Sequence, residues 1–275
     1  PEVLWVEPYR APVLFNDVAR SGEALQVDAV WEGLGLYGSG QTLGICDTGL
    51  DVGSLSKLSL DFQGRVVATY ALGRAGDWSD DHGHGTHVAG SAVGSGVLSG
   101  ADPTKQRYAG SFAGVAPEAN LVFQSALDRF GGLTGIPADL GELLGSAYGH
   151  GARVHGNSWG ADANVYDSMA RQVDAFVWEQ PEMLVVLAAG NSGADGDGDG
   201  AVDLGSLGTP ATAKNALTVG ASESLRLSGL PGFSVTYGAA WPSDFPVPPL
   251  RDDRMADQPA GLTAFSSRGP TADGR

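Results

Sequence analysis

Short apolar runs that end in small or polar residues recur along this chain, and they constrain its fold more than any other feature. Runs that are apolar on both faces are typical of strands buried inside a parallel sheet. We therefore predict strands at residues 41–46, 121–126, 152–157, 183–189 and 216–221.

Helical patterns lie between these runs. Residues 167–180 have apolar side chains at helical spacing, begin with Asp167 and are followed by Pro181, which favours a capped helix with a proline stop. Residues 84–93 and 139–148 are further helix candidates, diluted by glycine. Alternating strands and helices predict an α/β fold with a doubly wound, mostly parallel sheet flanked by helices.

Residues 225–262 interrupt this alternation. The segment is rich in proline, glycine and aspartate, so it is predicted to be a surface insertion between core elements. No internal repeat is evident, and 275 residues suffice for one large domain or two small ones.

The charge balance disfavours some classes of partner. With 16 basic and 32 acidic residues the formal net charge is −16, which argues against nucleic acid or an anionic membrane and suits a protein that binds cations. No apolar run approaches the roughly 18 residues of a membrane span. The single cysteine, Cys46, cannot form an internal disulfide and is predicted to be a buried core thiol.

Three polar residues lie where the predicted elements would bring chemistry together. Asp47 follows the first apolar run, His84 opens the first helix, and Asn191 follows the fourth run. Nucleophilic acyl transfer needs an imidazole base, a carboxylate that fixes its tautomer and a donor to the developing oxyanion. Because the carboxyl ends of the strands meet at one edge of such a sheet, we predict one catalytic site.

Two other chemistries were weighed for the same residues. A zinc protease would need H-E-x-x-H, but Gly-Thr separates His84 from His87. An esterase or lipase would use Ser158, because residues 156–160 read G-x-S-x-G. In that class the acid and the histidine follow the serine, whereas Asp47 and His84 precede it.

Several motifs in matching order resemble a subtilisin-like serine protease, a subtilase: DTGLD, HGHGTHVAG, NSWG, AAGN, GTPATAKNALTVGA and FSSRGPTADGR. Shorter segments such as NDVA, LYGSGQ, NLVFQS and RQVD are similar to the oxidant-stable alkaline branch. The resemblance runs from about Asn16 to Arg275. It implies a secreted serine endopeptidase that hydrolyses peptide bonds in proteins, with Asp47 as catalytic carboxylate, His84 as general base and Asn191 as oxyanion donor.

The resemblance also implies a substrate groove that binds an extended peptide as an added strand. Small residues in its primary pocket predict tolerance of large apolar or aromatic groups before the cleaved bond. The residues implied are Gly131, Gly132, Leu133, Ser158, Trp159, Gly160, Ala188, Ala189 and Gly190.

By the same resemblance, residues 1–15 are expected to be the tail of the protein's own inhibitory propeptide, and residues 16–275 roughly the first two-thirds of the catalytic domain. The family's nucleophile lies in G-T-S-x-A-x-P, which does not occur in these 275 residues. We expect that serine beyond Arg275, so that the 275 residues alone would be inactive.

An acidic loop follows Asn191. Its residues occupy positions one, three, five, six and nine of a calcium loop, although position twelve is Ser206 where glutamate is usual. We predict a structural calcium ion that stiffens the oxyanion loop; a flexible acidic loop is the alternative. A non-catalytic calcium-binding extracellular protein is the second alternative for the whole chain. The predicted ligands are Asp195, Asp197, Asp199 and Asp203, with Gly200 at position six.

Overall fold

The computed structural model describes residues 25–99, 111–225 and 234–274. In chain order the elements are α1 (Val27–Leu34), β1 (Thr42–Asp47), β2 (Val66–Ala71), α2 (His84–Val93), β3 (Asn120–Ser125), α3 (Leu140–Gly149), β4 (Val154–Asn157), α4 (Ser168–Glu179), β5 (Leu184–Ala188), β6 (Leu217–Val219) and α5 (Tyr237–Ala240). Within these ranges a helix separates successive strands except between β1 and β2 and between β5 and β6, and short 3₁₀ turns lie at Val97–Ser99 and Leu250–Asp252.

The strands of the described ranges form one parallel sheet in the order β2-β3-β1-β4-β5-β6. The chain adds β2 and β3 on one side of β1 and then crosses to the other side for β4, β5 and β6. The strand order therefore reverses at β1, which is where a doubly wound sheet opens a crevice at its carboxyl edge. The predicted fold class is confirmed.

Adjacent residues of β1 divide the core into two layers, because successive side chains of a strand point to opposite faces. Ile45 packs into a cluster with Ala89 and Val93 of α2. Cys46 packs into the opposite cluster with Leu144 of α3 and Val173 of α4. Burial, with the nearby charge of Asp47, raises the pKa of the Cys46 thiol to about 12, so the thiol stays protonated.

Helices α3 and α4 begin where the sequence supplies an aspartate cap. The side chain of Asp139 accepts a hydrogen bond from the Gly141 amide at the start of α3. Asp167 does the same for the Ala170 amide at the start of α4. Each aspartate therefore precedes its helix as a cap, as expected from the preference for aspartate at this position. None of the helices in the described ranges has the length and hydrophobicity that crossing a bilayer requires.

A buried polar chain crosses the layer between the sheet and α3. His155 of β4 is fully buried, and its Nε2 donates a hydrogen bond of 2.7 Å to Oε1 of Gln124. The Gln124 amide in turn donates to the Leu143 carbonyl at 2.7 Å and to Oγ of Ser146 at 2.8 Å. Burial lowers the pKa of His155 to about 4, so the imidazole is neutral in the folded protein.

The segment expected as a surface insertion, 225–262, is described at residue 225 and from residue 234 onward. There it forms α5 and a 3₁₀ turn and buries Tyr237 and Phe245 against Ala264. This part of the segment therefore packs into a small apolar cluster that includes Ala264 from outside the segment. Tyr237 and Phe245 supply its buried rings, and the exposed Trp241 contacts Phe245 edge to face.

Candidate active site

The carboxylate of Asp47 lies at the carboxyl end of β1, at the point where the strand order reverses. Its Oδ1 accepts the backbone N–H of Thr48 and the Nδ1–H of His84, each at 2.7 Å. The Asp47 side chain is 3% exposed, whereas that of His84 is 44% exposed. A buried carboxylate thus holds the Nδ1–H tautomer of an imidazole that faces solvent, which leaves Nε2 able to take a proton.

Two glycines allow the loop after β1 to lie against the start of α2. A Cβ on Gly85 would lie 2.4 Å from the Gly49 carbonyl oxygen, and a Cβ on Gly49 would lie 2.1 Å from the Ser79 carbonyl oxygen. The Gly85 amide also donates to Oγ1 of Thr48 at 2.8 Å. This close backbone approach brings His84, the first residue of α2, within reach of Asp47.

Asp80 ties the same two segments together. Its Oδ1 accepts the Thr48 hydroxyl at 2.8 Å and the Gly83 amide at 2.9 Å. Its Oδ2 accepts the amide of Thr86 at 2.8 Å and its hydroxyl at 2.6 Å. Although burial raises the pKa of the Asp80 carboxyl, these hydrogen bonds outweigh it and bring the pKa below its usual value. Sequence reasoning missed this residue, which lies four positions before His84.

Asn191 lies in the turn that follows β5, and Ser267 holds that turn. The Ser267 amide donates to the Gly190 carbonyl at 3.0 Å, and the Ser192 amide donates to Oγ of Ser267 at 3.0 Å. Gly190 has a φ of 111°, and a Cβ there would lie 2.7 Å from Oγ of Ser267. The turn therefore requires glycine before Asn191. Ser267 is buried and acts as a structural donor and acceptor.

One groove of about 400 Å³ brings most of the predicted site together. Its size falls within the range of ligand-binding clefts. Gly132 and Ala189 do not line it: Gly132 shapes the loop through hydrogen bonds with Asp128, and the buried Ala189 accepts the Gly208 amide. Sequence reasoning missed other lining residues, among them Thr48, His82, Asp162, Ser192 and Gly208. The predicted residues that do line it are Asp47, His84, Gly131, Leu133, Ser158, Trp159, Gly160, Ala188, Gly190 and Asn191.

Ser158 is not at a hydrolase elbow. It follows β4, but the chain reaches α4 only at Ser168, so the sharp strand-to-helix turn of that motif is absent from this described segment. Instead Ala161 and Thr209 exchange two backbone hydrogen bonds of 2.8 and 3.0 Å. This bridge fixes the segment 158–160 along the groove wall.

The acidic loop lies outside this groove. Oxygen atoms of Asp195, Asp197 and Asp199 lie within 4.8 Å of one another. Asp203 is not in this group; its Oδ2 accepts the Gly196 amide at 2.8 Å and closes the loop. Asp195 is buried, and its two oxygens accept the amides of Asp199 and Gly200 at 3.0 and 3.1 Å. The four-carboxylate prediction thus corresponds to three clustered carboxylates and one that shapes the loop.

Comparison with known proteins finds serine proteases among the similar sequences. The chain is 31% identical over 296 residues to the serine protease/ABC transporter B family protein tagB of Dictyostelium discoideum, covering 87% of this chain and 14% of that protein. It is 28% identical over 261 residues to serine protease AprX of Bacillus subtilis (strain 168), covering 90% and 47%. A solved structure titled S41 psychrophilic protease aligns with 75% of this chain and 62% of its own, at 26% identity and a TM-score of 0.48.

This chain therefore spans less than half the length of each of these two curated relatives. Residues 38–275 match the Peptidase_S8 model, described as the subtilase family. Because that match covers most of the chain, the chain belongs to the subtilase family of serine proteases.

Proposed function

We propose that the protein containing this chain is a serine endopeptidase and that these residues supply its acid–base and oxyanion groups. The observation that carries the proposal is the 2.7 Å hydrogen bond between Asp47 Oδ1 and His84 Nδ1, in a groove that Asn191 also lines. The nucleophilic serine is expected beyond Arg275. The family match supports this reading, since an Asp-His-Ser triad is typical of the family.

In the proposed mechanism His84 Nε2 takes the serine proton as the serine oxygen attacks the peptide carbonyl carbon. Asp47 stabilises the imidazolium that forms, and the Asn191 amide donates to the oxyanion of the tetrahedral intermediate. His84 then gives its proton to the leaving amine as the C–N bond breaks. Water repeats the cycle with the same groups, which releases the acyl part and restores the serine.

The proposed substrate is an extended peptide laid along Ser158–Gly160, with a large apolar or aromatic side chain before the cleaved bond. The lack of a side chain at Gly160, Gly190 and Gly208 supports this, because it leaves the groove open at these positions. Gly160 in particular lies so close to the Thr209 carbonyl that a Cβ would be 2.8 Å away.

The branch of the subtilase family that we propose is the oxidant-stable alkaline one. Secretion and cleavage of a propeptide at residues 1–15 are proposed with it. Those fifteen residues lie outside the described ranges.

We also propose that Asp195, Asp197 and Asp199 hold a structural calcium ion. Their carboxylate oxygens are the hard donors that calcium prefers, and three like charges within 4.8 Å of one another repel unless a cation neutralises them. The ion would contribute rigidity to the loop that follows Asn191. It would take no part in the acyl transfer.

The test uses the full-length protein and internally quenched peptides that differ only at the residue before the cleaved bond. We expect phenylalanine or leucine to be preferred over lysine, arginine and aspartate. His84→Ala should reduce kcat at least a thousandfold, and Asn191→Ala about 10²–10³-fold with little change in KM, a magnitude drawn from another member of this family. His150→Ala, which replaces an exposed histidine outside the groove, is the control. Undiminished cleavage by His84→Ala would contradict the proposal.

A further inference from the structure

A second cavity of about 240 Å³ adjoins the active groove. Among the described residues the two cavities share Asn191 and no other lining residue. A volume below the roughly 300 Å³ of small-molecule clefts suits a single side chain better than a whole ligand. The lining residues are Asn191, Gly193, Trp241, Asp244, Phe245 and Phe265.

The apolar wall of this second cavity is an aromatic cluster. The Trp241 ring lies 5.6 Å from Phe265 and 6.3 Å from Phe245, centroid to centroid and edge to face. Phe245 is buried, whereas Trp241 is 38% exposed. Gly193 completes the wall with bare backbone, because a Cβ there would lie 2.2 Å from the Ala264 carbonyl oxygen. The cavity thus presents an aromatic surface held by packing.

One carboxylate lies on this wall. The backbone of Asp244 is fixed, since its amide donates to the Trp241 carbonyl at 3.2 Å and its carbonyl accepts the Asp195 amide at 2.8 Å. Its side chain is exposed. An aromatic face beside a carboxylate is the surface that attracts a guanidinium or ammonium group, through cation–π contact and ion pairing. The formal net charge of −16 attracts the same kind of group over longer range.

We propose that the second cavity binds an arginine side chain of the substrate, on the side of the cleaved bond that leaves with the amine. This inference rests on the proposed function, which assigns Asn191 to the carbonyl oxygen of that bond and the segments 131–133 and 158–160 to the acyl side. None of those acyl-side residues lines the second cavity. Because, within the described ranges, the second cavity shares only Asn191 with the groove, we assign it to the residues that follow the bond.

A binding measurement tests this inference independently of the proposed function. Full-length His84→Ala protein is titrated calorimetrically with peptides that have phenylalanine before the bond and arginine, leucine or aspartate at the first or second position after it. We expect one of the two arginine peptides to bind about tenfold more tightly than its leucine counterpart. Asp244→Asn should remove most of that difference and leave the affinity for the leucine peptide unchanged.

Asp257→Asn is the matched control, because it removes an exposed carboxylate of the same 225–262 segment that does not line the cavity. Equal affinities for arginine and leucine peptides at both positions would overturn the inference. The inference would also be overturned if Trp241→Phe changed the thermal stability but not the affinity for any peptide. That result would mean that the protein itself fills the cavity. The same peptides are cleaved by the protein with His84 intact: failure to cleave any of them counts against the proposed function alone, whereas the binding preference decides the inference.

Discussion

The buried His155 makes the stability of this protein depend on pH between about 7 and 4. The imidazole is fully buried and donates to Gln124. It is also closely packed, because a Cβ on Gly44 would lie 2.5 Å from its Cδ2. A proton added to this ring would place a charge in a fully buried site. Burial accordingly lowers the pKa of His155 from 6.5 to about 4.

The direction in which the free energy of unfolding changes with pH depends on whether the folded or the unfolded state binds the proton. As pH falls through 6.5, His155 is protonated in the unfolded chain but stays neutral in the folded protein, so the free energy of unfolding decreases. The contribution of this residue is fully present above pH 6.5 and is lost progressively down to about pH 4. A difference of two to three pKa units corresponds to about 3 kcal/mol in all, of which about 2 kcal/mol is lost by pH 5. For a domain of this size that is a decrease in Tm of about 4–8 °C.

The assay is thermal unfolding of the full-length protein at pH 7.5 and pH 5, in a His84→Ala background that prevents autolysis. His155→Gln should lower Tm at both pH values, because it disturbs the packing, but should remove the part of the pH dependence that belongs to residue 155. His150→Gln, which replaces an exposed histidine, should keep the full pH dependence. If His155→Gln and the parent lose the same number of degrees between the two pH values, the reasoning about burial is wrong.

Three further predictions concern the active site and its loops. Asp80→Asn should lower kcat about tenfold to a hundredfold with KM nearly unchanged, because displaced catalytic groups slow the reaction more than they weaken binding; equal changes in both constants would contradict a positioning role. Calcium at a hundred times its Kd should stabilise the protein by about 2.7 kcal/mol, seen as a higher Tm that EDTA reverses and Asp197→Asn abolishes. Gly190→Ala should cost about 1–3 kcal/mol, since alanine is strained at its positive φ and its Cβ meets Ser267. In the control variant Gly149→Ala, the added Cβ has no atom within 4 Å. If this control and Gly190→Ala had the same Tm, the argument would be refuted.

The sequence predicts the central strands well and the edges poorly, for a physical reason. The inner strands β1 and β3 are buried on both faces along most of their length, so each reads as a continuous apolar run. The burial of the inner strands β4 and β5 alternates, but their apolar composition was sufficient to predict them. The edge strand β2 is only partly buried and includes Thr69 and Tyr70, and the apolar-run criterion missed it. The other edge strand, β6, has three residues where the run of 216–221 predicted six, because it pairs on one side only within the described ranges.

The proposed catalytic groups were recognisable because they lie in short sequence motifs. Gly49 and Gly85 belong to those motifs, although the close backbone contacts that they allow, with Ser79 and with Gly49, join segments distant in sequence. Asp80 was missed because the contact that ties it to the loop after β1 joins residues distant in sequence, and Ser267 was missed because its partners in the Asn191 turn are distant as well. The Asp80–Thr48 hydrogen bond spans 32 positions and the Ser192–Ser267 bond spans 75. No periodicity or spacing in the sequence reports such contacts, although both side chains hold residues next to the proposed machinery.

The acidic loop and the segment 225–262 look independent in the sequence, but a backbone hydrogen bond joins them. The Asp195 amide donates to the Asp244 carbonyl at 2.8 Å, so a residue of the proposed calcium site is tied to a residue of the second cavity. Ions that neutralise the acidic loop would therefore also fix the position of the Asp244 carboxylate. It follows that removing calcium should weaken the preference for arginine after the cleaved bond more than the preference for phenylalanine before it, because Ala188 lies in β5 and Gly160 lies next to the Ala161–Thr209 bridge. If calcium removal reduces both preferences by the same factor, the two loops are not coupled in this way.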